Sequence, residues 1–430
     1  MAFHGPTAVD RPLHQVDLKR RRAPSVWIAL VALLSSASPS LVWAHGERSQ
    51  EPFLRMRSIL FYDCSWSTDR LKVNDELMLS GRFRVFDDWP VDVMGRPDTV
   101  YVNTGVPGPV FVRKESFLNG VNMANSTSLA IGGDYEFRVK LRARAPGTYH
   151  VHPLINVYNG GPIQGPGKWV TVEAGDAPFT NPEETLTGQK IDLEHFGLPT
   201  VIRWHLVWAA VAIAWLLWWA RRPMFIPRYI LLQRGAEDEL VTATDRKLAA
   251  GLIVLTLAIV LVGNYWANSR YPITIPLQSS RIRVKPLPRP AQGVDVELVK
   301  ATYEVPGRTV YLDVNVTNHS DTPVRISEFT TANVRFLNAA VAKDEPGYPR
   351  DLIAPSGLVV DGDPAIAPGE TKLVHLSATD PVWETERLAL LLYDPDSRFG
   401  GLLMFQDGDG TRYLSTVGGP ILPTFKLKAL

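Results

Sequence analysis

Cysteine is almost missing from this chain. Among 430 residues there is one, Cys64, so no intramolecular disulfide can form. A blue-copper electron-transfer site needs a Cys thiolate beside two histidines, and a lone cysteine far in sequence from the paired histidines argues against one. Cys64 itself reads as a buried strand residue. Excess charge of either sign is missing as well: 45 Lys and Arg stand against 44 Asp and Glu, a formal net charge of +1. A nucleic-acid partner would want a basic face, so that class is set aside. Two apolar stretches approach the length of a bilayer crossing, and neither shows the amphipathic stripe of a helix laid on a soluble core.

What is present begins with a three-part N-terminus. Residues 1–22 are polar and end in Lys19-Arg20-Arg21-Arg22. An apolar run from Val26 to Leu34 follows, and then a small-residue region ending Val42-Trp43-Ala44. That layout predicts a cleaved secretory signal peptide over residues 1–44, with Val42 and Ala44 fitting the small-x-small rule. Cleavage there makes His45 the new N-terminus, on the far side of the cytoplasmic membrane.

From His45 to about Glu173 the pattern is all-β. Short apolar or alternating runs such as Ile59-Leu60-Phe61-Tyr62, Phe83-Arg84-Val85-Phe86 and Tyr135-Glu136-Phe137-Arg138-Val139 alternate with Gly/Pro turns. This predicts a sandwich or Greek-key barrel over residues 45–177. A polar linker is expected over 178–203. Trp204 to Ala220 and Leu248 to Trp266 are the two apolar stretches, predicted to be transmembrane helices over 204–220 and 248–266. The loop between them, 221–247, carries Arg221, Arg222, Arg228, Arg234, Arg246 and Lys247, which makes it cytoplasmic by the positive-inside rule. Both flanking domains then lie on the periplasmic side, in agreement with the signal peptide. After a Pro-rich linker (267–290), Val310 to Thr317 alternates and Ala367-Pro368-Gly369-Glu370 reads as a turn, so a second β domain is expected over 291–430.

The chemistry sits in three histidines. His150 and His152, in Thr148-Tyr149-His150-Val151-His152-Pro153, are two apart, so on a strand both imidazoles project from one face. Alone this suits copper or zinc, or a pair of surface histidines. His45 shifts the balance. A terminal histidine offers its α-amine and its ring Nδ1 to one ion, and the amine titrates near pH ~8, so copper can displace its proton at neutral pH. Three imidazoles and an amine make an all-nitrogen site suited to Cu(II). Glu47 is a candidate to orient a ligand histidine, or else a solvated surface glutamate. His205, His319 and His375 are read as polar residues without a metal role.

Beyond the histidines, the chain resembles the B subunit of the copper membrane monooxygenases: particulate methane monooxygenase, ammonia monooxygenase and their short-alkane relatives. The resemblance is carried by His45-Gly46-Glu47-Arg48-Ser49-Gln50, Arg55-Met56-Arg57, Pro107 to Arg113, His150-Val151-His152 and Gly160-Gly161-Pro162-Ile163. It continues through Arg222 to Arg228, Tyr271 to Gln278, Val305-Pro306-Gly307-Arg308, Tyr393 to Phe399 and Gly419 to Pro423. It implies a mainly β protein with two transmembrane helices, in which two cupredoxin-like β-sandwich domains outside the membrane are joined by a helical hairpin. It also implies copper held by His45, His150 and His152, partnership with A and C subunits in a trimer of heterotrimers, surrounding membrane lipid, and an electron donor such as a quinol. Some members hold a further copper between the two β domains; the matching positions here look like Leu60 and Thr416, which cannot ligate, so that site is expected to be absent.

The resulting expectation is the copper-binding B subunit of a membrane monooxygenase acting on methane, ammonia or a short alkane. The catalytic residues are left unassigned, because catalysis can lie in a partner subunit. The competing reading is a membrane-anchored periplasmic copper storage or delivery protein, which explains the histidines and the topology equally well. Residues 48–55 lean towards ammonia oxidisers and Gly160-Gly161-Pro162-Ile163 towards methane and alkane oxidisers.

Overall fold

A computed structural model describes residues 46–425, except 186, 224, 273–280, 289–292, 306–307, 343–346, 363–364 and 395. The expected signal peptide and His45 lie outside the described residues, as does the side chain of Glu47.

Two short helices, α1 (Gly46–Ser49) and α2 (Pro52–Met56), lead into the first group of strands. These are β1 (Ile59–Trp66), β2 (Arg70–Lys72), β3 (Glu76–Val85), β4 (Val100–Gly105), β5 (Phe111–Leu118), β6 (Val121–Asn122), β7 (Asp134–Ala143), β8 (Gly147–Val157), β9 (Gly161–Gln164) and β10 (Lys168–Glu173). One sheet runs β1-β3-β7-β5-β6 and the other β2-β10-β8-β4, with β9 pairing β8. Period-2 burial places Leu77, Leu79, Phe83, Phe137, Val139 and Leu141 in the core between them. Phe61, Phe83, Tyr135 and Phe137 form its aromatic centre, with ring centroids 5.4–6.3 Å apart.

A two-stranded ribbon, β11 (Pro182–Glu184) with β12 (Lys190–Asp192), occupies part of the expected linker. Two long helices follow, α3 (Leu198–Ala220) and α4 (Ala243–Arg270). At ~1.5 Å per residue they are about 34 Å and 42 Å long, enough for a hydrocarbon layer of about 30 Å. Both are long and apolar enough to cross a membrane, and their apolar windows are not buried in the protein. Each begins before its apolar run, because hydropathy marks the stretch that would sit in hydrocarbon and not the polar turns beyond it. The loop-side ends are clamped together. Asp245 accepts from Trp218 Nε1 (2.7 Å) and from Arg222 Nη2 (3.0 Å to both oxygens), and forms a capping box with Thr242 at the start of α4. Thr242→Ala is expected to cost about 1 kcal/mol, seen as an earlier midpoint in detergent-driven unfolding of the purified chain.

The second group comprises β13 (Val294–Val305), β14 (Thr309–Asn318), β15 (Val324–Thr331), β16 (Val334–Leu337), β17 (Ile353–Ala354), β18 (Leu358–Val360), β19 (Thr371–Thr379), β20 (Arg398–Asp407), β21 (Arg412–Pro420) and β22 (Leu422–Phe425). They form sheets β18-β19-β14-β13-β22 and β17-β16-β15-β20-β21. Stacked Phe336 and Trp383 (5.0 Å) fill the core between them. The result is mainly β with two apolar helices between two β-sandwiches, as expected.

The sandwiches pack directly on each other. Leu60, Tyr62 and Phe86 of the first form an apolar cluster with Leu402 and Met404 of the second. Gly418 permits the approach, since a Cβ there would lie 2.5 Å from Phe86 Cζ. Ion pairs cross the same boundary: Arg57 to Asp396 (2.9 Å), Arg398 to Asp88 (2.7 Å) and Arg412 to Asp63 (2.5 Å).

Candidate metal centre

His150 and His152 lie on β8, whose neighbours are β10 and then β9 along one edge and β4 along the other. Val151 between them points into the core, and Trp66 Nε1 donates to its carbonyl at 3.1 Å. The histidines therefore take the opposite face, yet they are only 4 % and 3 % exposed. That face is covered. Trp169, opposite His150 on β10, stacks on its ring at 4.7 Å. The chain from β9 to β10 passes over both rings, and His152 Nδ1 lies 3.0 Å from the Gly165 carbonyl. With Nδ1 as the donor, the lone pair is on Nε2, the nitrogen that would ligate.

The two rings stand edge to face, centroids 4.4 Å apart and planes at 82°. They meet over Gly167. A Cβ there would lie 2.2 Å from His152 Cε1, 2.5 Å from its Nδ1 and 2.7 Å from His150 Cε1. Only a glycine lets both imidazoles sit down on the backbone. The Gly- and Pro-rich stretch after β8 is thus the floor of the pair, a role its composition alone did not assign.

The donor set suits a borderline ion such as copper: two imidazoles, held close on a rigid strand and shielded from water. A third donor is needed. Among the described residues no group of three His, Cys, Asp or Glu could hold a metal. His45 lies outside them, and the structure shows where the chain after it goes. Gln50 Nε2 donates to the Pro162 carbonyl, and Gln50 Oε1 accepts from Gln164 N at 3.3 Å, so residue 50 is fastened to β9 beside the pair. A chain covers at most about 3.3–3.6 Å per residue, which puts His45 no more than about 18 Å from Gln50. Nothing in the sequence marked Gln50 for this task.

The other sequence candidates fall elsewhere. Cys64 is buried on β1 with Sγ 3.8 Å from the Tyr62 carbonyl, and burial pushes its thiol far above the usual range, so it stays a neutral packing residue. His205 turns back along α3 to the Val201 carbonyl (2.8 Å). His319 and His375 each face one carboxylate, Asp295 (3.1 Å) and Asp313 (2.7 Å). Leu60 belongs to the apolar contact between the sandwiches, and Thr416 donates to Asp87 at 2.6 Å. Glu386, which sequence reading passed over, is 1 % exposed and faces Arg48 and Arg55. A single glutamate in Trp383-Glu384-Thr385-Glu386-Arg387 carries no pattern that would have found it.

The family of monooxygenase B-subunit proteins matches residues 46–425. The chain is 48 % identical over 405 residues to "Particulate methane monooxygenase alpha subunit" of Methylococcus capsulatus (strain Bath), covering 93 % of this chain and 97 % of that protein. Among solved structures it is similar to the cupredoxin domain of amoB from Nitrosocaldus yellowstonii, at 19 % identity and a TM-score of 0.24, over 32 % of this chain and 99 % of that one.

Proposed function

The chain belongs to the monooxygenase B-subunit family, and from that premise we propose that it is the copper-binding subunit of a membrane-bound monooxygenase that hydroxylates methane or a short alkane. The observation that carries the copper assignment is the pair His150 and His152, buried side by side over Gly167. In this reading His45 completes the set with its imidazole and its α-amine, and Glu47 is a candidate to orient one of the ligands. Bound copper would supply one-electron redox chemistry towards O2. The protein's own part is to fix the tautomer of His152 through Gly165 and to keep water away by burial and by Trp169. The carbon–hydrogen bond is attacked in a partner subunit closer to an apolar substrate in the bilayer, and this subunit loads copper and supports the assembly.

The proposed topology places both sandwiches in the periplasm, with the arginine-rich turn between α3 and α4 in the cytoplasm. The contact between the sandwiches supports it: two surfaces joined by Arg57–Asp396 and Arg398–Asp88 must share one side of a membrane, and two crossings satisfy that. Partners are the A and C subunits in a trimer of heterotrimers, with lipid around the helices and a quinol as electron donor. Methane or a short alkane is placed ahead of ammonia on Gly160-Gly161-Pro162-Ile163 and on the name of the relative that is 48 % identical.

The test is purification of the tagged chain from its own membranes. It is expected to bring two strongly apolar membrane proteins and copper with it, and the preparation should convert methane to methanol with O2 and a reductant faster than it converts ammonia to hydroxylamine. A chain that purifies alone and surrenders its copper to an acceptor protein would instead be a delivery protein. Oxidation of ammonia but not methane would overturn the substrate assignment and leave the family intact.

A further inference from the structure

The two long helices carry apolar windows that the protein itself leaves uncovered. They are fastened together at the loop end, where Asp245 of α4 holds Trp218 and Arg222 of α3. Beyond that clamp they flank an apolar groove of about 480 Å³. Trp208, Ala212 and Trp215 of α3 form one wall, and Ala249, Leu252 and Thr256 of α4 form the other. On each helix these positions recur at intervals of three and four, so each wall is a single helix face. Nothing charged lines the groove among the described residues. From Trp215 to Trp208 it runs about 10 Å, at ~1.5 Å per residue.

Charge stands at one end of it. Arg246 precedes Ala249 by three residues on the same side of α4, and a long side chain on a helix leans towards the N-terminus, here the loop end. Its ion pair, to Asp238 at 3.9 Å, joins two exposed side chains and holds it weakly. Arg222 on the facing helix is already matched by Asp245, 3.0 Å away. Trp215 and Trp219, with ring centroids 5.6 Å apart, carry the α3 wall up to this end. Tryptophans gather at the headgroup level of a bilayer, which sets Arg246 among the headgroups and the groove among the acyl chains.

Shape and charge together select the occupant. A helix is about 10–12 Å across, so two turns of one fill about 1,000 Å³. That is twice the groove, and a partner helix would lie across the mouth without entering. An acyl chain enters. The phosphate at its head then meets Arg246, at the level where basic residues beside membrane helices hold anionic lipid. We propose that the groove between α3 and α4 is the binding site of one anionic phospholipid, with its acyl chain between the alanines and its phosphate on Arg246. This rests on the membrane reading of the two helices and is independent of the copper assignment.

The experiment uses the tagged full chain, purified in detergent with the subunits that accompany it. It is titrated with phosphatidylglycerol, phosphatidylcholine or glycerol 3-phosphate, and two quantities are read: the unfolding midpoint, and the lipid retained after washing, counted by mass spectrometry. Phosphatidylglycerol is expected to raise the midpoint and to stay bound at one molecule per chain, and the other two are not. Arg246→Gln is expected to weaken its binding about fivefold, the factor that one basic group contributes beside an anionic headgroup. Ala212→Leu/Thr256→Leu narrows the groove from both walls at exposed positions and is expected to abolish retention. Arg234→Gln removes the same charge from the turn between the helices, outside the groove, and is expected to change nothing.

Glycerol 3-phosphate that matches phosphatidylglycerol overturns the acyl seat, and an Arg234→Gln variant that weakens as much as Arg246→Gln overturns the phosphate seat. A narrowed groove that keeps its lipid but sheds an accompanying subunit is a protein contact, and the proposal falls. Extraction with alkaline carbonate separates the two readings. A chain released without detergent overturns the membrane reading and this inference together. A chain that stays in the membrane yet binds phosphatidylglycerol no better than phosphatidylcholine overturns the inference alone.

Discussion

Replacing His150 and His152 together by alanine is expected to remove copper from the purified chain, with the nitrogen-rich Cu(II) signal lost in step. The two rings act as one clasp, 4.4 Å apart and walled by Trp169 and Gly167, so each single variant should lose most of the affinity. The loss should exceed the roughly 10–100-fold that removal of an outer hydrogen-bond partner costs a metal site. Gly167→Ala tests the same geometry without deleting a nitrogen. Its methyl group would occupy the space of His152 Cε1 and Nδ1 and crowd His150, so the rings must turn away or the loop must lift. Copper content and the resonance spectrum of all four variants, read beside their unfolding midpoints, check this. Copper that remains stoichiometric in the double variant would place the ligands elsewhere and sink the assignment.

The largest stability effect is expected at a different buried charge. Glu328 on β15 takes Arg335 of β16 in a two-pronged pair, Nε to Oε1 and Nη2 to Oε2 at 2.7 Å each, and both side chains are buried. Thr330 Oγ1 also donates to Oε1, and the guanidinium carbon of Arg335 lies 4.8 Å from the centre of the Tyr348 ring. Glu328→Ala removes the carboxylate and leaves a cation in a place built for a neutral pair, at a cost of about 3–5 kcal/mol. For a domain of this size that lowers the unfolding midpoint by on the order of 10 °C. Removing both charges in a Glu328→Leu/Arg335→Met variant should recover much of the loss, because two apolar side chains of similar volume incur no desolvation cost. A midpoint that moves by only one or two degrees in Glu328→Ala would show that water reaches the pair.

Local pattern carried a good deal of this protein. Apolar length marked the two long helices, since a run without charge is a property of consecutive residues. Period-2 alternation marked strands such as β14, and the two-residue spacing of His150 and His152 put both rings on one face before any fold was known. The motifs from His45 to Pro423 pointed to the family. The hairpin between β15 and β16 was invisible by the same logic. Its turn is Ala332-Asn333, both at positive φ (49° and 72°), where the recognisable signal would have been Asn-Gly. Tertiary contacts hold it in that conformation: Tyr348 donates to the Asn333 carbonyl and Asn333 reaches Gln164.

The sequence by itself marked which residues are candidates to bind copper, where the chain could cross a membrane and which side its basic turn is expected to face. Each follows from neighbours along the backbone, from periodicity, apolar length or charge. Only the tertiary structure decided what covers the imidazoles, why Gly167 must lack a side chain, and that Gln50 and Glu386 hold the N-terminal segment where it lies. Those are contacts between residues far apart in the chain, 331 positions in the case of Arg55 and Glu386. Their partners come together because two sandwiches bury a shared face, and no local pattern encodes that choice.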